Sequence, residues 1–438
     1  MANSSQGQTL AYDTETSLGT SAGSEEEIRY NEQPKYSTGI YTGIDNPNVG
    51  HAHAYARGDK PIWVEKHKEN GLSFPVYIRS SATAGGTPPI AEFFESSGCV
   101  IASNTARTTV ATDAGDDKEW TLTDDVYGAD SSMIAGSIEL DDERTYYPVL
   151  LNNYTSATKT CNAAMELPQN ISTTRYYEMM TTIIPYARQV VSTKTLNFLH
   201  STRGGYGSAT DEALRHRLSG CALSTSAELS LVHGEAPTLS LTFHVGKVAK
   251  NNNTMTTETF KCAEKFGVID DDFKFEFGTA SASSITRGDK TLYSATIKFG
   301  IKTVPIKSEG TGTYAGIEGY MQVPDGPATA TITALWDYSW WNGIDQDSAP
   351  GENTSQYLGF VQPGYGVPSS TNRPSFAFWM PNAHLIAQDP VKLEFEDEAV
   401  IKGTATFEAD CAGYDSGVLN ADRGAAPWAF AIGGDGTV

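Results

Sequence analysis

The chain has 438 residues, of which 39% are hydrophobic, and a formal net charge of −22 from 53 acidic and 31 basic residues. This length exceeds what a single hydrophobic core organises, so two or more domains are expected. The acidic surplus has the wrong sign for gripping nucleic acid, and no apolar stretch is long enough to span a bilayer. Ordinary solubility would also explain the charge, so the charge alone does not identify a partner.

The five cysteines contain no C-x-x-C pair. This spacing argues against a zinc knuckle or a redox pair and favours reduced, mostly buried thiols. The first 28 residues lack the basic and apolar regions of a secretory signal. We therefore expect the chain to fold in the cytoplasm in which it is made.

The N-terminal segment, residues 1–28, is rich in Ser, Thr, Gly and Glu. Because such a segment lacks the apolar side chains needed to fold alone, it is predicted to be an arm that is either flexible or ordered by a partner. Strand-like alternation follows in residues 30–81, where Pro75 favours an edge strand or a bulge.

A short helix is predicted within residues 85–99. Pro89 suits its first turn, and Phe93 and Phe94 would share the face that meets a sheet. Gly98 suits the left-handed position after the last turn.

Residues 120–123 and 133–140 are predicted to be strands. Residues 152–208 fit no minimal unit and are interpreted as an insertion. A second short helix is predicted for residues 211–217, with Thr210 as its N-cap.

One strand pattern occurs twice, at residues 219–245 and 380–409. Each copy has a start of small residues, an alternating strand, an acidic turn and a second alternating strand. Alternation of this kind predicts an antiparallel hairpin with one buried face. Two copies in one chain predict a duplicated unit.

The predicted fold class is mainly β with minor α. The C-terminal residues are small and polar apart from Trp428 and Phe430, and are expected to leave the core and dock on a neighbour. The predicted segments are a flexible arm at 1–28, a first unit at 29–250 with the insertion around 152–208, a second unit at 251–412, and a C-terminal extension at 413–438.

His51 and His53 have the spacing of metal ligands on a strand, with Glu65 and His67 further along the chain. No additional ligand is assured, so a polar loop is the favoured interpretation. The acidic run at 270–272 lacks the glycine and the distal glutamate of a calcium loop and is interpreted as a solvated turn. No catalytic, cofactor-binding or metal-binding residue is assigned, and the chain is predicted not to be an enzyme.

Trp336, Trp340 and Trp341 form a dense aromatic cluster with Tyr338, beside Asp337. One interpretation is the sugar-stacking platform of a carbohydrate-binding module or a glycosidase. The other is a packing anchor at a subunit contact. The second is favoured because no pair of carboxylates can be given acid and base roles.

Several segments occur in a characteristic order: the His-Arg-Leu-Ser-Gly-Cys opening at 216–221, the Gly-Glu-Ala-Pro turn at 234–237, and the return strand at 239–246. Supporting segments are the helix at 88–98, the strand pair within 275–299, and the Met-Pro-Asn-Ala entry at 380–383. In this order the chain resembles the tail tube (major tail) proteins of long-tailed bacteriophages of the siphophage type. The resemblance spans roughly residues 35–412 with gaps and leaves out residues 152–208.

The resemblance implies a tail-tube fold of packed antiparallel sheets with a flanking helix, with one sheet facing the bore of a ring. The repeated hairpin favours a fold that is duplicated within the chain. Six such folds would close the ring, supplied by six chains or by three duplicated ones. Stacked rings would form the conduit for DNA ejection in a virion whose subunits are made in the bacterial host cytoplasm.

The partners implied are further copies of the chain and other tail proteins, namely the terminator, tape measure and distal tail proteins. Genomic DNA would pass through the lumen without specific binding, and neither a membrane nor a cofactor is implied. Because an acidic bore repels phosphate, Glu228, Glu394 and Glu396 are candidates for bore-facing carboxylates. Two alternatives stay open: another β-rich phage structural or decoration protein, and a carbohydrate-binding or carbohydrate-cleaving β-sandwich that uses Trp336, Trp340 and Trp341.

Overall fold

The structure, a computed structural model, describes a large part of the chain in separate stretches. These are residues 8–23, 26–28, 34–37, 40–43, 64–67, 70–81, 86–102, 107–113, 118–140, 145–169, 171–185, 191–192, 194–203, 212–224, 227–250, 253–254, 273–279, 286–288, 292–307, 317–335, 355–365, 375–396, 398–410 and 426–433.

The described chain consists of antiparallel β-sheet and one α-helix, which confirms the mainly-β class with minor α. Over these stretches, no helix has the length and apolar character that crossing a bilayer requires.

The strands before the helix are β1 (Gln8–Ser17), β2 (Thr20–Ser21), β3 (Glu26–Glu27), β4 (Lys35–Ser37), β5 (Ile40–Gly43), β6 (Val64–His67) and β7 (Asn70–Tyr77). Helix α1 (Pro89–Glu95) is followed by β8 (Val100–Ala102), β9 (Arg107–Asp113), β10 (Glu119–Leu122), β11 (Ile134–Glu139), β12 (Thr145–Thr155), β13 (Thr160–Ala163) and β14 (Tyr176–Met179).

The next strands are β15 (Thr181–Ile184), β16 (Val191–Ser192), β17 (Leu196–Arg203), β18 (Glu212–Leu223), β19 (Glu228–Val232), β20 (Thr238–Lys250) and β21 (Asn253–Thr254). The last are β22 (Lys274–Thr279), β23 (Thr286–Gly288), β24 (Leu292–Lys298), β25 (Ile301–Lys307), β26 (Ile317–Pro324), β27 (Thr329–Leu335), β28 (Gln356–Gln362), β29 (Gly364–Tyr365), β30 (Ser375–Glu396), β31 (Glu398–Ala409) and β32 (Ala429–Gly433).

One order of six neighbouring strands occurs twice. In the first half of the chain the antiparallel order is β1, β17, β18, β20, β7, β4. In the second half it is β22, β28, β30, β31, β27, β24. Strands in corresponding places also follow one another in the same order along the chain, with β18 and β19 together matching the long strand β30. We call these sets unit one and unit two, and their common topology supports a duplication.

The two units also share an irregularity and a hairpin. The pairing of β17 with β18 shifts register between Leu196 and Phe198, and the pairing of β28 with β30 shifts between Gln356 and Leu358. Strands β5 and β6 form a hairpin between β4 and β7, as β25 and β26 do between β24 and β27. A bulge is a local feature of a strand pair, so its recurrence in the same place strengthens the correspondence.

Helix α1 packs against both units, as its apolar face predicts. The ring of Phe93 lies 6.1 Å from that of Phe74 and 5.5 Å from that of Phe243, both in unit one. The ring of Phe94 lies 4.9 Å from that of Phe299, which follows β24 of unit two. Both helix side chains are fully buried in a hydrophobic core that the two units share. The predicted end of the helix is confirmed by Gly98, whose φ is +89°.

Strands β9 to β14, within residues 107–179, close into a six-stranded antiparallel barrel. In the sequence, the barrel is inserted between β7 and β17 of unit one. The barrel order is β9, β10, β13, β12, β11, β14 and back to β9. Its interior holds Trp120 and Tyr177, and Gly136 leaves room for the Tyr177 ring. A Cβ at position 136 would lie 2.1 Å from the Tyr177 hydroxyl. The insertion predicted at residues 152–208 starts too late, because the barrel begins at residue 107, and it ends too late, because the barrel ends at residue 179. Strand β17, at residues 196–203, belongs to the sheet of unit one.

The N-terminal residues 8–17, expected within a flexible arm, form strand β1 of unit one. Leu10 and Tyr12 alternate into the shared core with 0% and 1% exposure. The buried carboxylate of Glu15 accepts hydrogen bonds from the backbone N–H of Gly220, at 2.8 Å, and from the Thr195 hydroxyl, at 2.5 Å. Burial raises the pKa of Glu15. Two apolar residues at period two suffice here because neighbouring strands supply the rest of the core.

Two further segments differ from the sequence prediction. Residues 212–217 of the helix predicted at 211–217 form the first half of strand β18, which pairs with β17 on one side and with β20 and β21 on the other. In the C-terminal segment, β32 pairs with β15 and β30, and Trp428 is 1% exposed in the core. The secondary structure of both segments is set by pairing with strands that are distant in sequence, and local composition does not reveal such pairing.

Candidate functional site

The two units meet edge to edge through strands β19 and β24. Five consecutive residues pair across this joint, from Glu228 opposite Lys298 to Val232 opposite Ser294. The carboxylate of Glu228 lies 4.0 Å from the Lys298 ammonium, and both side chains are well exposed. An exposed pair contributes little, so backbone pairing and the buried residues beneath it hold the joint.

The face of the joined sheet opposite the core is rich in hydroxyl groups. The Thr331 and Thr406 hydroxyls lie 3.1 Å apart across β27 and β31, as do those of Thr333 and Thr404. Glu228 lies on this same face, since its neighbours along β19 alternate into the core. The face therefore combines neutral hydroxyls with charged side chains.

The hairpin of β25 and β26 extends from unit two and lies on unit one. The backbone N–H of Thr303 donates to the carbonyl of Ser224 at 3.0 Å, and the Thr303 hydroxyl donates to the carbonyl of Leu223. Nε2 of His244 lies 2.9 Å from the Thr303 carbonyl oxygen. Strand β25 is thereby fixed against the region where unit one passes from β18 to β19.

Strand β26 completes the contact. The hydroxyl of Tyr320 donates to the carbonyl of Gly220 at 2.5 Å, and its ring stacks on His244 with centroids 5.7 Å apart. The amide of Gln322 lies 3.7 Å from the Cys99 sulfur, and burial raises the pKa of that thiol to about 12. Tyr320 is 0% exposed, so its side chain is fully enclosed in the contact between the hairpin and unit one.

The equivalent surface of unit two follows from the strand register. Cys221 of β18 has partners in β17 and β20, and Ala383 of β30 has partners in β28 and β31, each directly after the shared bulge. Two residues further on, Leu223 lies opposite Phe243, as Leu385 lies opposite Phe407. Position 220 therefore corresponds to 382, and position 224 to 386.

This equivalent surface is open in the described chain. Ser224 is 6% exposed under the hairpin, whereas Ile386 is 53% exposed. Gly220 is buried, whereas Asn382 is exposed. The hairpin of β5 and β6, which corresponds to the one that covers unit one, forms a two-stranded sheet of its own.

Two strand edges are open in the same sense. Counting only described strands, β4 pairs with β7 alone, and β30 beyond Ala387 pairs with β31 alone. Their counterparts, β24 and β19, are the strands that pair with each other at the joint. One chain thus contains one complete joint, between β19 and β24. The open edges of β30 and β4 are the equivalents of the two strands of that joint.

The barrel is fixed to unit two by a buried carboxylate. Glu276 of β22, 3% exposed, accepts a hydrogen bond from the Tyr147 hydroxyl of the barrel at 2.5 Å. The Tyr357 hydroxyl lies 3.4 Å from its other oxygen. Gly359 makes room, because a Cβ there would lie 2.6 Å from that carboxylate. A satisfied buried carboxylate of this kind orients one element on another.

Of the carboxylates expected to face a bore, Glu228 lies at the joint, while the side chains of Glu394 and Glu396 lie outside the described residues. So do His51, His53, the side chains of Glu65 and His67, the acidic run at 270–272, and the cluster of Trp336, Trp340 and Trp341. No group of His, Cys, Asp and Glu that could hold a metal ion occurs in the described ranges.

The residues of the hairpin contact were not predicted from the sequence. Thr303, Tyr320 and Ser224 become neighbours only through packing between the two units. Aligning the two halves of the chain on their strand order would have revealed the correspondence, because the bulge and the hairpin recur in the same places.

Neither protein-family models nor curated proteins match this sequence.

Proposed function

We propose that the chain is a structural virion protein: a tail tube subunit of a long-tailed bacteriophage that assembles into stacked rings. The observation that carries the proposal is the joint between β19 and β24, which joins two equivalent units edge to edge. Repeating that joint between copies would use the open edges of β4 and β30. Three chains would then supply the six units of one ring.

Sheet edges support this assignment on physical grounds. An open edge is a template for pairing with another chain, and natural proteins cover it or use it. Contacts that join two different surfaces of a subunit generate rings where the rotation closes. A closed circle of units leaves no edge unpaired, which favours the ring over isolated chains.

The proposed lumen fits the charge of the chain. With 53 acidic residues against 31 basic ones, the net charge of −22 has the wrong sign for holding phosphate. On the sheet face opposite the core, hydroxyl side chains would form a wet surface, and the Lys298 ammonium there lies beside the Glu228 carboxylate. In the proposed virion, stacked rings meet the terminator, tape measure and distal tail proteins, and DNA passes without specific binding.

Electron microscopy of the concentrated, purified protein tests the proposal, with mass measurement of the particles in solution. We expect hollow rings or tubes and a species of three times the chain mass of 47.1 kDa. A chain that stays monomeric at every concentration, or that binds polysaccharide without forming rings, would contradict the proposal.

A further inference from the structure

We propose that the hairpin of β5 and β6 in one copy docks on unit two of a neighbouring copy, over the surface around Asn382, Leu385 and Ile386. The inference rests on the proposed self-assembly and specifies the second surface through which copies meet. The occupant is a second copy of this chain, because the chain already contains the same contact between its own units.

The contact within the chain shows what the surface accepts. The hairpin of unit two binds the carbonyls of Gly220, Leu223 and Ser224 of unit one. Ser224 retains 6% exposure there. The same positions of unit two carry the exposed Ile386, and Leu385 is only partly buried against the core. An exposed isoleucine beside a partly buried leucine gains from being covered.

The register identifies the residue that would make the contact. Thr303 of β25 lies opposite Gln322, the third pair counted from Ile301, and Thr42 of β5 lies opposite Glu65, the third pair counted from Ile40. Thr303 uses its backbone N–H to reach the carbonyl of its partner, a bond that is independent of side-chain identity. Thr42 of one copy would therefore donate to the carbonyl of Ile386 in the next.

Direction explains why the occupant comes from another molecule. Within the chain, the hairpin of unit two reaches unit one, and the joint of β19 with β24 runs in the same direction. Applied to unit one, the same geometry places the hairpin of β5 and β6 on a unit two that would lie before unit one in the ring. Only another copy supplies a unit two in that position, and the open edges of β4 and β30 would meet beside it.

Disulfide trapping tests the inference directly. The double variant Thr42→Cys with Ile386→Cys is assembled, oxidised mildly with oxidised glutathione and run on a non-reducing gel. A backbone hydrogen bond brings two residues within the range that a disulfide spans, so we expect a ladder of dimers and trimers. All variants carry Cys262→Ser and Cys411→Ser, because these two cysteines lie outside the described residues. In that background each single variant and the parent chain should give none, since Cys99, Cys161 and Cys221 are buried and burial raises the pKa of each thiol.

The matched control is the double variant Ser224→Cys with Thr303→Cys, whose positions form the same contact inside one chain. It should close an internal disulfide without a ladder. In a second measurement, Ile386→Glu should raise the protein concentration needed for ring formation by about tenfold or more. Ala111→Glu, at an exposed position of the barrel strand β9, should leave that concentration unchanged.

The outcomes separate the two proposals. Rings without a ladder from the Thr42→Cys and Ile386→Cys pair, together with a closed control disulfide, overturn the docking inference and leave the proposed function standing. Absence of rings from the wild type at every concentration overturns both.

Discussion

His200 lies in β17, opposite Leu10 of β1 on one side and His216 of β18 on the other. It is 4% exposed, and burial lowers its pKa to about 4, with a further contribution from His216. The folded chain therefore keeps this imidazole neutral at a pH where the unfolded chain, with an ordinary value of 6.5, takes up a proton.

We expect the stability to fall as the pH drops from 6.5 towards 4, because the unfolded state then binds more protons than the folded state. The loss attributable to His200 should reach about 2 kcal/mol at pH 5. Urea unfolding at pH 7 and pH 5 measures it, with His200→Gln expected to flatten the difference. His233→Gln, exposed in the turn after β19, serves as the control. Equal pH dependence in the wild type and His200→Gln would contradict the assignment.

At the scale of elements, strand β1 is an integral part of the sheet of unit one and not a flexible arm. Its pairing with β17 brings Leu10 into the shared core with no remaining exposure. An arm that orders only on a partner would leave Leu10 in water and irrelevant to the stability of the single chain.

We therefore expect Leu10→Ala to lower the free energy of unfolding by about 2–5 kcal/mol, the usual range for a large-to-small change in a core. Thr16→Ala, at an exposed position of the same strand, should change it by less than about 0.5 kcal/mol. Urea midpoints of the unassembled protein measure both. If Leu10→Ala behaves like Thr16→Ala, the strand is not part of the folded chain.

Elements with a complete local signal were predictable from the sequence. Helix α1 is an example, because its proline start, its apolar pair Phe93 and Phe94, and Gly98 lie within one short segment. The hairpin of β19 and β20 is another, since alternation and the turn at Gly234, with φ of +80°, lie side by side.

Elements whose structure depends on distant neighbours were not predictable. Residues 212–217 include good helix formers, yet β17 pairs with them on one side and β20 and β21 on the other. Such tertiary pairing overrides a weak propensity. The open surface at Ile386 was equally hidden, because its meaning comes from comparison with Ser224 in another strand. A single exposed isoleucine in a sequence carries no such information.

At the scale of the whole molecule, two equivalent units differ in what has been added to them. The barrel of residues 107–179 interrupts unit one but packs on unit two, through Glu276 and an apolar cluster that includes Trp379 and Ala429. The hairpin of unit two packs on unit one. Each unit therefore carries part of the other, so the two units form a single folded body, and the open edges of β4 and β30 are the surfaces available for joining copies edge to edge.

The open edges of β4 and β30 must associate despite the electrostatic repulsion between copies that carry the same net charge. At −22 per chain, copies repel one another over distances set by the ionic strength, about 10 Å at 0.1 M salt. The joint within the chain relies on backbone pairing and burial, and its one described ion pair, between Glu228 and Lys298, is exposed and 4.0 Å long. Added salt should therefore weaken the repulsion more than it weakens the contacts.

We expect ring formation at fixed protein concentration to increase as sodium chloride is raised from about 20 to about 300 mM, where charges separated by more than a few ångströms are screened. Chloride is preferable to sulfate, because sulfate also strengthens the burial of apolar surface. Sedimentation or light scattering measures the assembled fraction, and a neutral solute at equal osmolality is the control. Assembly that dissociates on added chloride would mean that ion pairs hold the copies together, in conflict with interfaces built like the joint of β19 and β24.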